Sequence, residues 1–68
     1  MNNETTPKKK VKMRLVGLDG NAFSLMGAWQ KNAMRQGWTR EEITPVLEKC
    51  MSSDYDNLLY TLMEHIED

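Results

Sequence analysis

Apolar residues in this chain change spacing once, from every second residue to every third or fourth. The change falls at Leu15-Val16-Gly17-Leu18-Asp19-Gly20-Asn21-Ala22-Phe23. Upstream, Val11, Met13 and Leu15 alternate with Lys10, Lys12 and Arg14, the pattern of a half-buried strand with a wet basic face. Gly17 and Gly20 can take positive φ at little cost. Asp19 and Asn21 can accept hydrogen bonds from the free amides that open a helix. The stretch therefore reads as a strand-to-helix corner.

Three helices follow. The first spans about Ala22 to Gln36, with Ala22, Leu25, Met26, Trp29 and Ala33 on one stripe, Phe23 and Met34 widening it, and Gly37 as the C-terminal cap. Gly27 in its middle implies the close approach of a neighbouring backbone. The second opens on the capping-box pattern Thr39-Arg40-Glu41-Glu42 and carries Ile43, Val46, Leu47, Cys50 and Met51 at helical spacing. Pro45 is discordant there: either the first turn bends, or the helix proper starts at Thr44 with Pro45 in its first position. The third starts near Ser53 or Asp54, sets Tyr55, Leu58, Leu59, Leu62 and Ile66 on one face with Met63 alongside, and runs nearly to the end. Glu64, Glu67 and Asp68 oppose its dipole and predict fraying.

The fold class is thus mostly α, a small α+β chain: residues 1–9 a disordered basic arm, and residues 10–68 one β-α-α-α domain. A lone strand leaves backbone groups unpaired along both edges. Its partner is either the same strand of a second subunit in a homodimer, or a weak hairpin from residues 2 to 8. With 68 residues the chain buries little apolar surface, which also favours oligomerisation.

One cysteine excludes an internal disulfide, and one histidine beside it excludes the familiar metal spacings. No apolar signal core and no membrane-length run is present, so the expected setting is cytoplasmic. The net charge of −1 hides an asymmetry. Up to residue 14, five cations against Glu4 give +4; beyond it, four cations against nine carboxylates give −5. A basic arm precedes an acidic body.

The corner text, the Gly37-Trp38-Thr39 junction with Glu41-Glu42-Ile43, and Ser53-Asp54-Tyr55-Asp56 before Leu58-Leu59 resemble a family of small uncharacterised proteins of bacteria and their phages. The resemblance covers about residues 11 to 67. The chain departs from that pattern at Ser52-Ser53-Asp54, where a glycine precedes the aspartate in the family, and at Pro45, where a helix former stands. The resemblance brings no assigned activity. It implies a phage or mobile-element setting, in which small oligomeric proteins bind host components.

Chemistry is sparse. His65 stands at the expected frayed end of the last helix, with no serine or cysteine at a recognisable spacing, and reads as a surface histidine. Cys50 falls on an apolar stripe and reads as a buried hydrophobe. Asp54 and Asp56 flank Tyr55 where helix-opening acceptors are expected. No enzyme, metal or cofactor is implied. The expected function is a non-enzymatic interaction protein that binds a host protein through its helical surface and basic strand. One alternative is a binder of an anionic, nucleotide-like ligand at the corner; a second is a weak nucleic-acid binder, which the acidic body disfavours. The residues carrying these readings are Lys10, Lys12, Arg14, Gly17, Asp19, Gly20, Asn21 and Trp38, the last as a partly exposed aromatic at an interface.

Overall fold

A computed structural model of the chain describes residues 10–15 and 17–67. The expectation for residues 1–9, and those for Val16 and Asp68, lie outside the described residues. Strand β1 (Val11–Lys12) leads into helices α1 (Ala22–Arg35), α2 (Arg40–Cys50) and α3 (Tyr55–Glu64), and strand β2 (Ile66–Glu67) closes the chain. The protein is mostly α with a small β part, as its sequence implies.

Each helix starts on a side-chain acceptor that the sequence supplies. Asn21 Oδ1 accepts from the amides of Phe23 and Ser24, at 2.9 and 3.3 Å, and opens α1. Thr39 and Glu42 form the full capping box of α2, with Thr39 N donating to Glu42 Oε1 at 2.8 Å and Glu42 N to Thr39 Oγ1 at 3.2 Å. Asp54 Oδ1 accepts from Asn57 N at 2.9 Å and opens α3. Helix α1 ends in a Schellman turn around Gly37, whose φ is +94°. Gly37 N donates to Met34 O and Trp38 N to Ala33 O.

Helix α2 runs from Arg40 through Pro45, which decides between the two readings of that residue: Pro45 is interior to the helix and does not start it. Proline has no amide to donate to the Glu41 carbonyl one turn back, and both residues lie on the exposed side of α2, where water can substitute. Gly20 has no positive φ; in the corner that conformation belongs to Gly17, at +87°. Gly27 admits no close neighbour, because a Cβ built there meets nothing within 4 Å. Replacing it with alanine is therefore expected to raise stability by about 0.5–1 kcal/mol, read as a higher urea midpoint. A lower midpoint would restore a packing role for Gly27.

A further correction concerns the end of α3, which stops at Glu64 instead of running through Ile66. The chain turns extended there and pairs in parallel with β1, Val11 opposite Ile66 and Lys12 opposite Glu67. Val11 N donates to His65 O at 2.8 Å and Met13 N to Glu67 O at 3.2 Å. The partner of β1 thus lies at the C-terminal end of the same chain. The opposite edge of β1 is closed by a side chain. Gln36 Oε1 accepts from Lys12 N at 2.8 Å while Gln36 Nε2 donates to Lys12 O at 2.9 Å, the pair of bonds another strand would make. A homodimer built on strands would have to add to the outer edge of β2.

Trp29 is the centre of the core. It is fully buried, meets Trp38 edge-to-face at 5.1 Å between ring centroids, and donates from Nε1 to His65 O at 3.3 Å. Leu25, Ala33, Ile43, Cys50, Leu58 and Leu62 are buried in the same cluster, with Val11 sealing it from the strand side. The third helix packs against both others. Phe23 and Met34, expected to widen the stripe of α1, are exposed instead.

Candidate functional site

Among the described residues, neither groove described below is lined by Lys10, Lys12, Arg14, Gly17, Asp19, Gly20 or Asn21. Lys10, Lys12 and Arg14 stand on the exposed side of the β1 segment, while the side chains between them turn inward, as the alternation predicts. At the corner, three of the helix-opening amides have side-chain acceptors already. Asp19 Oδ1 takes the amide of Asn21 at 3.1 Å, and Asn21 Oδ1 takes those of Phe23 and Ser24. Gly17 and Gly20 supply the bend, and the Gly20 carbonyl accepts a hydrogen bond from the Tyr55 hydroxyl, tying the corner to the start of α3. The amides of Asn21, Phe23 and Ser24 are thus used in holding the corner in shape.

Trp38 is corrected from a partly exposed interface aromatic to a core residue, 8% exposed. The turn at Gly37 reverses the chain and lays Trp38 back on Ala33 and Trp29. His65 is likewise corrected from a surface residue: it is half-buried, its Nδ1 lies 2.8 Å from Thr61 O, and its ring sits edge-on to Trp29 at 6.3 Å. Its backbone carbonyl joins β1 and Trp29 at one oxygen. Through that oxygen His65 links the end of α3 to β1 and to the core tryptophan.

Cys50 is buried at the C-terminal end of α2, where Sγ lies 3.9 Å from Leu58 O, and burial pushes its thiol pKa above the usual value. The neutral thiol is therefore the native form. Folding stability assisted by this group is complete below the ordinary thiol pKa of 9.0 and is lost as pH rises through the higher folded value. Native protein at neutral pH is expected to resist iodoacetamide until denaturant is added. Fast alkylation of the native chain would contradict this placement. Among the described residues no cluster of three or more His, Cys, Asp or Glu side chains could hold a metal ion.

The feature that sequence reasoning missed is an apolar groove where the N-terminal turn of α1 meets the α2–α3 connection. It encloses about 260 Å³, with Met26, Cys50 and Leu58 as the floor and Phe23, Met51 and Tyr55 as the rim. Phe23 is 77% exposed, Met51 59% and Tyr55 44%. The connection below it is held firmly: Lys49 O accepts from Ser52 Oγ at 2.7 Å and from Asn57 Nδ2 at 2.8 Å. A second, more polar cleft of about 310 Å³ lies between α1 and α2 over Trp38, flanked by Gln30, Arg40 and Thr44. The signal for the groove was Phe23 at the margin of a stripe too wide for the helices available to cover it.

No protein-family model, curated protein or solved structure matches the chain. Among the described residues no helix is long and apolar enough to cross a membrane.

Proposed function

We propose that the chain is a small non-enzymatic interaction protein that binds another protein through its helical surface, at the groove framed by Phe23, Met51 and Tyr55. The observation that carries this reading is Phe23, a large aromatic 77% exposed beside two more exposed apolar side chains over a buried floor. Clustered apolar exposure of this kind marks protein-binding surfaces, and aromatic and methionine side chains supply much of the energy there. The phage or mobile-element setting implied by the resemblance makes a host protein the partner class. The basic strand at the other end of α1 adds a charged contact surface rather than the anchor.

Chemical cross-linking and affinity capture from bacterial lysate test the reading. The Phe23→Ser/Met51→Ser variant should keep its helical circular dichroism and lose the captured protein, whereas Tyr60→Ser, at another exposed position, should retain it. The same protein captured equally by the double variant would contradict the groove assignment.

A further inference from the structure

Resting on that reading, we infer that the groove takes a basic amphipathic segment of a foreign protein, with apolar side chains filling the floor and lysine or arginine on its flanks. Among the described residues, the charge that lines the groove is of one sign. Asp54 lines it, Asp56 follows Tyr55 on the rim and is exposed, and Asp19 lies in the corner that Tyr55 grips. Among the described residues no lysine or arginine lines the groove, and the nearest one in sequence, Lys49, directs Nζ to within 3.8 Å of Glu64 Oε1. A partner that covers this surface meets the carboxylate of Asp54 in the lining, with Asp56 next to Tyr55 in the chain, and cations make that contact favourable.

Two other occupants fit worse. A second copy docked by the same patch across a two-fold axis would bring carboxylates against carboxylates. Among the described residues, the chain's own basic Lys10, Lys12 and Arg14 sit on a segment whose apolar side chains turn inward, so they offer charge without anything to fill an apolar floor. They also lie beside Gln36, past the far end of α1 from Phe23. The 14 residues of that helix separate the two ends by roughly 20 Å.

The probe is a pair of synthetic peptides of roughly 14 residues, long enough to turn helical when bound, with leucine on one face and either lysine or glutamate on the other. Methyl and amide NMR spectra of the full chain are recorded during titration. The lysine peptide should shift the methyls of Met26 and Met51 and the amide of Phe23, and bind more tightly than the glutamate peptide by about tenfold or more. Asp19→Asn, Asp54→Asn and Asp56→Asn together keep every capping acceptor, so the fold should survive while affinity for the lysine peptide falls several-fold. Equal binding of both peptides, shifts centred on Tyr60 and Met63, or no shifts at all would overturn the inference. So would Met51 shifts that depend on protein concentration without peptide, which mark a second copy as the occupant. Capture that is lost with Phe23→Ser/Met51→Ser but unchanged by the three asparagines would leave the groove standing and overturn its charge preference alone.

Discussion

Trp29→Ala is expected to leave the protein largely unfolded at 25 °C. A 68-residue domain has about 3–10 kcal/mol of stability in total, and truncating a fully buried tryptophan costs about 3–5 kcal/mol. The substitution also empties the space under Trp38 and leaves His65 O without its indole donor, so α1, the Gly37 turn and the terminal strand pair lose a common support. Trp29→Phe should be less severe, since the ring returns most of the packing and only the Nε1 bond is lost. Urea titration followed by circular dichroism reads both. A Trp29→Ala midpoint close to the parent's would show that the core is not centred on this residue.

Leu62→Ala should be the next most damaging change, at about 2–5 kcal/mol. Leu62 is fully buried on α3, and its carbonyl accepts the amide of His65, the residue that turns the chain from helix to strand. The cavity left by the leucine would sit beneath the turn that presents β2 to β1. A loss of less than about 1 kcal/mol, typical of surface positions, would contradict the placement of α3 against the other helices. Leu47 and Leu59, which share its apolar pattern, are only partly buried and should cost less.

These two residues also show which parts of the fold a single sequence exposes. Three-and-four spacing and side-chain caps act within a turn or two of chain, so α1, the capping box at Thr39 and the start of α3 at Asp54 were all readable. Strand β2 was not, because a two-residue strand has no period. Its trace was indirect: the carboxylates after Met63 oppose a helix dipole, which predicts that the helix ends there without saying where the chain then goes. Trp38 could have been placed correctly. A glycine just past a helix end, followed by a large apolar residue, is the pattern in which that residue folds back onto the last turn, and Trp38 does so. The Gln36 closure of β1 depends on a contact 24 residues away in sequence and leaves no local mark.

The groove lies between these cases. Periodicity marked Phe23 as apolar on α1, but whether a wide stripe is covered depends on how many neighbours reach it. With α2 and α3 packed over Trp29 and Leu25, the margin at Phe23 stays open. The corner reads the other way: Gly17, Asp19 and Asn21 are placed as a turn and cap, with their hydrogen bonds used locally. The Tyr55 hydroxyl ties this corner to the start of α3, at the rim of the groove.

Which surfaces are free depends on one feature, the pairing of β1 with β2 inside a single chain. Amide hydrogen exchange at Val11, Lys12 and Met13 across a dilution series, with the mass followed by sedimentation, tests it most directly. The amides of Val11 and Met13 should exchange slowly and at the same rate at every concentration, and Gln36→Ala should speed exchange at Lys12 while leaving the other two protected. Protection of Val11 and Met13 that disappears on dilution, in step with a fall in mass, would place the partner strand in a second subunit and contradict the account.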